Sequence, residues 1–265
     1  MRPILFYIGD TPIYPFFLTI MVGALIATFV AARMARKAGL SPVAIIDMGI
    51  IAMILSVIGS RVFHILFEYP MYYWEHPMRV FDFLAGGFVS LGAYIFSAAG
   101  WFCYFRRKQL PILPYFDLIV RVVPVVMFFV RLGCLLTGCC YGRPTDFFFH
   151  LVFKPGSTAY YFHQDTPLHA SQVYAMACSI VIFVVLQRLY HRRKFHGQVL
   201  AVYLMCAGVT RFLFEFTRGD VDRGVYLPEI FPPYGISTGQ IVMLLFFGVG
   251  VWLYRTGRRR YPLHG

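Results

Sequence analysis

Charged residues are scarce in this chain of 265 residues: aspartate, glutamate, lysine and arginine together make up only 14% of it. A soluble domain is about one quarter charged and about half apolar. Here 59% of the residues are hydrophobic, and the mean hydropathy is +0.66. So few charges do not cover a soluble surface. The composition therefore argues against a soluble or disordered protein and predicts a chain that folds in lipid.

The sequence also lacks the common short motifs of nucleotide-binding and hydrolytic enzymes. It contains no P-loop, no HExxH and no GxSxG. The N-terminal segment lacks a small-residue cleavage site after a short apolar core, so we expect the first helix to be retained. Any activity must then depend on a different set of residues.

Cysteine is too sparse for a disulfide framework, with six residues in a long apolar chain. Three of them, Cys134, Cys139 and Cys140, lie close together in the sequence. Their spacing matches no common zinc pattern, and adjacent side chains on a helix point apart. The sequence therefore predicts no metal site and no cofactor, and a disulfide within the cluster remains an alternative.

Long apolar stretches dominate what is present. Seven are long enough to cross about 30 Å of hydrocarbon at 1.5 Å per residue. The sequence therefore predicts an all-α polytopic membrane protein of seven transmembrane helices, a single transmembrane domain over 1–265 with a loop insertion at 138–169 on the outer side. The predicted spans are 14–36, 43–67, 84–104, 115–137, 170–190, 198–217 and 236–255.

The distribution of charge predicts the orientation. Fourteen lysines and arginines follow helices 1, 3, 5 and 7. The opposite side has six other lysines and arginines and nine of the twelve acidic residues. The positive-inside rule then places the N-terminus outside and the C-terminus in the cytoplasm. Since the cations are spread over four loops, the net charge of +12 indicates orientation and contact with anionic lipid, and no nucleic-acid partner.

Arginines inside the apolar stretches are candidates for function, because charge in a membrane is costly. Arg61, Arg131 and Arg211 each precede the outer end of a predicted helix by six residues, about 9 Å below the boundary. This common depth predicts a shared anionic ligand, although a single arginine near a helix end also reaches the headgroups by snorkelling. Arg121 follows Asp117 by four residues, and we expect an ion pair between them.

The segment RFLFEFTRGD places Arg211, Glu215 and Arg218 at i, i+4 and i+7, on one helix face. Glu215 is expected to hold the two guanidinium groups while they bind an anion. An internal ladder of salt bridges without a ligand is the alternative.

Several motifs resemble those of one family, the bacterial prolipoprotein diacylglyceryl transferases, in the same order and spacing. The resemblance implies transfer of diacylglycerol from phosphatidylglycerol to the thiol of a lipobox cysteine in a preprolipoprotein, with release of glycerol 1-phosphate. It also implies an enzyme of the bacterial inner membrane whose active site faces the periplasm and the outer leaflet. The motifs are GSR at 59–61, GGFVSLGA at 86–93, FDLIVRVVP at 116–124, RLGCLLTGCCYGRP at 131–144, HASQVY at 169–174, RFLFEFTRGD at 211–220 and ISTGQ at 236–240.

The resemblance implies essential roles for Arg131 and Arg211, while Leu91 stands where the family pattern has a histidine. The proton acceptor is therefore open among His64, His169 and the leaving phosphate. The candidate catalytic residues are Arg131, Arg211, His64 and His169, and the candidate substrate-binding residues are Arg61, Gly142, Arg143, Gln172, Glu215, Arg218 and Gln240.

Two alternatives are compatible with the same residues. One is a diverged paralogue that uses an anionic phospholipid with a different acceptor. The other is a lipid- or anion-binding transporter or sensor that performs no chemistry.

Overall fold

The protein is mainly α-helical in the computed structural model, which describes residues 4–8, 11–81, 87–219, 225–226 and 236–261. Three short antiparallel strand pairs, β1–β2, β3–β4 and β5–β6, accompany the helices. The strands are β1 (Phe6–Ile8), β2 (Thr11–Ile13), β3 (His150–Leu151), β4 (Leu168–His169), β5 (Val225–Tyr226) and β6 (Ile236–Ser237). The helices are α1 (Pro15–Lys37), α2 (Pro42–Phe63), α3 (Pro70–Glu75), α4 (Ser90–Lys108), α5 (Ile112–Ile119), α6 (Val123–Thr137), α7 (Thr158–His163), α8 (Ser171–His191), α9 (Gln198–Glu215) and α10 (Thr238–Arg260), with a π-helical turn at His64–Glu68 after α2 and a 3-10 turn at Pro77–Phe81.

Five helices in the described part of the chain are long and apolar enough to cross a membrane, and the count is six if α5 and α6 form one bent span. These spans correspond to six of the seven predicted stretches. The seventh, 84–104, corresponds to α4, which begins at Ser90 and ends in three consecutive basic residues, so it is less apolar than the others. The outer faces of the spans carry large apolar side chains, as expected where a helix meets lipid tails.

The predicted span 115–137 is broken. Helices α5 and α6 meet at an angle of 41°, with the break at residues 120–122. Pro124 is the physical reason: it has no N–H to donate to the carbonyl four residues earlier, and its ring clashes with that carbonyl, so a regular helix cannot continue through the break.

The break also explains why the predicted ion pair between Asp117 and Arg121 was wrong. The fully buried Asp117 carboxylate instead accepts hydrogen bonds from the backbone N–H groups of Gly197, at 2.7 Å, and Leu200, at 2.9 Å, at the start of α9. Arg121 donates through Nε to Gln187 Oε1 at 3.0 Å. Because the helix stops between the two residues, the i,i+4 geometry of a continuous helix does not exist there.

The chain divides into two compact units, residues 32–112 and residues 1–31 with 113–265. In the first unit, α2 packs on α4 where Gly59 meets Gly92, and Trp101 Nε1 donates to Met48 O at 2.9 Å. In the second unit, α9 packs on α10, and α8 packs on both α6 and α9. A Cβ added at Gly250 would lie 2.8 Å from Ala201 O, so the α9–α10 contact depends on a small residue.

Candidate functional site

Three segments of the second unit join at the ends of their helices. They are the loop after α6, the start of α8 and the exit from α9. Gly142 pairs with Arg218 in an isolated antiparallel bridge, and Pro144 pairs with Leu168 in another. Backbone hydrogen bonds complete the junction: Arg143 N to Thr217 O at 3.0 Å, Gly219 N to Tyr141 O at 3.0 Å and His169 N to Arg143 O at 2.9 Å. We call residues 138–144, 168–172 and 215–219 the junction.

Two glycines make this close approach possible. A Cβ on Gly142 would collide with the His169 carbonyl oxygen and would lie 2.7 Å from Ser171 Oγ. A Cβ on Gly219 would lie 2.7 Å from the carbonyl carbon of Gly142. The obstructing atoms are largely backbone, so they cannot rotate away. Glycine at both positions lets the chains carrying Arg143 and Arg218 run in direct contact.

The predicted cluster of Arg211, Glu215 and Arg218 is present. Arg211 Nη1 donates a hydrogen bond to Glu215 Oε2, and Arg218 Nη1 lies 3.8 Å from the same oxygen. The Glu215 side chain is only 5% exposed, whereas those of Arg211 and Arg218 are 25% and 18% exposed. A buried carboxylate therefore holds two guanidinium groups that still reach the surface of the site.

Arg131 adds a further positive charge from α6. Its charge acts on Arg211 and also on Cys140. Arg143 reaches the same junction, where its Nε donates to Arg218 O at 2.8 Å. With Glu215 as the one carboxylate among these groups, the net charge is positive, and the arrangement suits a phosphate or another anion.

The start of α8 brings polar groups to the junction. The Gln172 side chain is fully buried, and its Nε2 donates to Cys139 O at 2.8 Å. Gln172 Oε1 and His169 Nδ1 are buried and have no hydrogen-bond partner among the described residues. His169 Nδ1 can therefore form a hydrogen bond with a ligand at the junction, where Arg143 and Arg218 also lie.

Arg61 lies in the other unit and is 4% exposed. Its guanidinium group donates to three backbone carbonyls: Val80 at 3.3 Å, Gly87 at 3.3 Å and Arg79 at 2.7 Å. These bonds connect Arg61 to the 3-10 turn, through Arg79 and Val80, and to Gly87 after it. A ligand shared with Arg131 and Arg211 stays a prediction.

His64 also lies in that unit, in the π-helical turn. Its Nδ1 is 3.2 Å from Tyr73 Oη, and its Nε2 is 3.3 Å from Glu68. A Cβ on Gly87 would lie 2.5 Å from the imidazole, so the glycine makes room for the ring. Gln240, the last of the predicted binding residues, is buried in the first turn of α10. The catalytic and binding roles of His64 and Gln240 remain predictions.

Comparisons with known proteins identify the family of this chain. The family described as prolipoprotein diacylglyceryl transferase matches residues 3–256. A phosphatidylglycerol–prolipoprotein diacylglyceryl transferase of Clostridium tetani is 28% identical over 260 residues, which cover 98% of this chain and 99% of that protein. One from Bordetella parapertussis is 31% identical over 201 residues, covering 75% of this chain and 72% of that protein. The chain belongs to the prolipoprotein diacylglyceryl transferase family.

The chain is also similar to a protein of Clostridium perfringens named phosphatidylglycerol–prolipoprotein diacylglyceryl transferase 2. It is 26% identical over 258 residues, which cover 97% of this chain and 96% of that protein. This member of the transferase family is thus a multi-pass membrane protein that aligns with the two Clostridium relatives along nearly their whole length.

The junction also contains a cluster of thiols whose arrangement differs from the one expected from the sequence. Helix α6 ends at Thr137, and Gly138 turns into the left-handed region with φ +77°, so Cys139 and Cys140 are not on a helix. The sulfur atoms of Cys134, Cys139 and Cys140 all lie within 4.8 Å of one another. The premise that adjacent cysteines point apart on a helix was therefore wrong here. The glycine directly before the cysteine pair was the available signal.

Charge and hydrogen bonding differentiate the thiols of this cluster. Hydrogen bonds from Cys134 and Cys139, together with the charges of Arg131 and Arg218, hold the pKa of Cys140 well below its ordinary value. The hydrogen bonds with Cys134 and Cys140 and the burial of the thiol raise the pKa of Cys139. The thiolate form is therefore favoured at Cys140 over Cys139.

Proposed function

We propose that the protein transfers the diacylglyceryl group of phosphatidylglycerol to the cysteine thiol of a prolipoprotein lipobox. The observation that carries this proposal is the pair of guanidinium groups of Arg211 and Arg218 held by the buried carboxylate of Glu215, with the charge of Arg131 acting on Arg211. Family membership supplies the reaction class, since the relatives are named for this transfer.

In the proposed reaction, the acceptor sulfur attacks the glyceryl carbon that carries the phosphate. A carbon–sulfur bond forms as the carbon–oxygen bond breaks, and the electron pair leaves on the phosphate as glycerol 1-phosphate. Negative charge grows on the leaving phosphate, and guanidinium groups stabilise it by bidentate hydrogen bonds without losing their protons. Arg131 and Arg211 are assigned to this task, with Glu215 orienting Arg211 and Arg218.

The remaining predicted residues have supporting parts in this proposal. Gly142 and Arg143 line the junction where the headgroup would lie, and Gln172 fixes the loop through Cys139 O. His169 Nδ1 is a candidate to accept the thiol proton, since it is buried without a described partner. The leaving phosphate is the other candidate, and His64 remains a third.

The proposed setting is the bacterial inner membrane, crossed seven times when α4 is included with the six other spans. The N-terminus lies outside and the C-terminus in the cytoplasm, because the fourteen clustered lysines and arginines belong inside. The junction then faces the periplasm and the outer leaflet, where phosphatidylglycerol and an exported prolipoprotein meet.

The experiment is a transfer assay with purified protein in nanodiscs, labelled phosphatidylglycerol and a lipobox peptide. We expect a thioether-linked diacylglyceryl peptide and glycerol 1-phosphate in equal amounts. Arg131→Ala and Arg211→Ala are each expected to lower the rate by about 100-fold or more, by analogy with loss of a transition-state donor. Arg36→Ala, at an exposed arginine of α1, is the matched control and should leave the rate unchanged.

Three outcomes would count against the proposal or against its site assignment. Transfer of the diacylglyceryl group to a different acceptor, with the lipobox peptide unmodified, would identify a diverged paralogue. Phosphatidylglycerol bound at the arginines without any product would identify a transporter or sensor. Normal rates in both arginine variants would remove the site assignment.

A further inference from the structure

The thiol cluster is a separate feature of the junction that the arginine chemistry does not use. Its three sulfur atoms belong to a buried residue, Cys134, and two half-buried ones, Cys139 and Cys140, and all three are free of disulfides. Zinc binds thiolate sulfur at about 2.3 Å, which places sulfurs about 3.8 Å apart in a tetrahedral site. Sulfurs already within 4.8 Å of one another reach that separation by moving about 1 Å.

The backbone around the cysteines is anchored at three carbonyl groups within four residues. The Gly138 carbonyl accepts from Ala159 N at 3.0 Å, the Cys139 carbonyl accepts from Gln172 Nε2 at 2.8 Å, and the Tyr141 carbonyl accepts from Gly219 N at 3.0 Å. Each anchor comes from a different part of the fold: α7, α8 and the exit from α9. Cys140 itself has φ +52°, a conformation that a non-glycine residue adopts only when its surroundings enforce it. The cluster is therefore preorganised, as ligands of a metal site need to be.

The charges around the cluster suit an anionic metal complex. Three thiolates and one Zn²⁺ carry a net charge of −1, and binding releases the protons that the thiols still carry. The positive charges of Arg131 and Arg218 act on Cys140, so they offset this charge. Soft thiolate ligands select zinc and monovalent copper over magnesium, calcium or manganese.

We propose that Cys134, Cys139 and Cys140 bind one zinc ion whose fourth position takes the thiol of the acceptor. Three protein ligands with an exchangeable fourth position are the pattern of catalytic zinc, and a thiol that coordinates a metal is deprotonated outright. The acceptor would lose its proton to solvent as it binds, and the bound thiolate would attack the glyceryl carbon. The zinc site would thus deprotonate the acceptor thiol, a step for which the histidine of the family pattern is absent because Leu91 stands at its position.

This inference rests on the proposed function for the identity of the acceptor, and the placement of the charges supports that link. Arg131 precedes Cys134 by three residues on α6, so the two share one helix face. The arginines assigned to the phosphate and the sulfurs assigned to zinc therefore belong to the same junction. A metal-bound thiolate and the phosphate-bearing carbon would be brought together there.

The experiment adds zinc alone to the purified full-length protein in nanodiscs and records the zinc content and the X-ray absorption fine structure. We expect one zinc per chain with three sulfur ligands and one lighter ligand. A lipobox peptide should raise the sulfur count to four, and the same peptide with serine in place of its cysteine should leave it at three. Cys139→Ser combined with Cys140→Ser should abolish zinc binding and lower the transfer rate at least 100-fold. Cys178→Ser combined with Cys206→Ser, two cysteines outside the cluster, is the matched control and should preserve both.

The failure of this inference is distinguishable from the failure of the proposed function. Diacylglyceryl transfer without bound zinc, with the three thiols free or joined in a disulfide, would overturn the zinc site and leave the function intact. A fourth sulfur gained from the peptide without any diacylglyceryl product would overturn the function and leave the site intact. If the double variant does not fold, the number of sulfur ligands on zinc in the unaltered protein, measured with and without the peptide, is sufficient to test the zinc site.

Discussion

Arg211 donates a hydrogen bond to the carboxylate of Glu215, one helical turn further along α9, and that carboxylate is almost completely buried. A buried carboxylate that pairs with two guanidinium groups orients those groups and does not itself contact a ligand at the surface of the site. Removing one partner of a buried ion pair leaves the other charge uncompensated, which is strongly unfavourable. The geometry therefore makes Glu215 a positioning residue for Arg211 and Arg218.

Glu215→Gln tests this role, because it keeps the size of the side chain and removes its charge. We expect kcat for diacylglyceryl transfer to fall by at least 10-fold, while KM for phosphatidylglycerol changes by less than about 3-fold. The reason is that the arginines retain their positive charge but lose their orientation. Steady-state assays over a range of lipid mole fractions separate the two constants. Glu75→Gln, at an exposed glutamate of α3, is the control. A rise in KM with unchanged kcat would contradict the positioning role.

Gly142→Ala tests the close approach of the segments in the junction. The added Cβ would meet the backbone of His169, which cannot rotate away, so we expect a loss of about 2–3 kcal/mol in stability and a lower midpoint of thermal unfolding. The matched control is Gly248→Ala in α10, where a Cβ has open space. In a helix interior that change should be neutral or stabilising by up to about 1 kcal/mol. Equal unfolding temperatures for the two variants in the same detergent would contradict the prediction.

Local spacing predicted one part of this site and failed in another for a clear reason. The i,i+4 pair of Arg211 and Glu215 was confirmed because α9 is continuous through both residues. The pair of Asp117 and Arg121 has the same spacing, but Pro124 ends the regular helix before it forms. Periodicity thus predicts contacts only as far as the helix that carries them extends.

The junction could not be predicted from periodicity, because its contacts join residues far apart in the sequence. Gly142 pairs with Arg218, and Cys139 is held by Gln172. Glycines at 138, 142 and 219 indicate turns and close approaches, but they do not reveal the partner. The family resemblance named candidate residues of the junction, and the structure shows which of them are in contact, while their roles in the reaction stay predictions.

The thiols of the cluster are expected to react unequally. The pKa of Cys140 is held well below its ordinary value of 9.0 and that of Cys139 is raised, so the reactive thiolate form is favoured at Cys140 over Cys139. In metal-free protein, alkylation of Cys140 by iodoacetamide should persist as the pH falls below 9.0 and decline only on passing its lowered pKa. Cys139 should stay unmodified over that range. Mass spectrometry of peptides after timed labelling measures both, with the exposed Cys103 as a reference for reagent access. Equal labelling of Cys139 and Cys140 would contradict the prediction.

Asp117 offers a test of the fold that does not touch the arginines. Its carboxylate accepts from two backbone N–H groups at the start of α9, so Asp117→Ala leaves both donors buried and unpaired. We expect the loss of about 3 kcal/mol of stability, seen as a lower midpoint of thermal unfolding. Asp117→Asn keeps one acceptor oxygen and should lose roughly half as much. Asp165→Ala, at an exposed loop position, is the control and should change the midpoint little. The Asp117→Ala protein that remains folded should keep a normal transfer rate per molecule, because α9 still carries Arg211 and Glu215. A lower rate per folded molecule would show that the hydrogen bonds of Asp117 to the start of α9 also position the site.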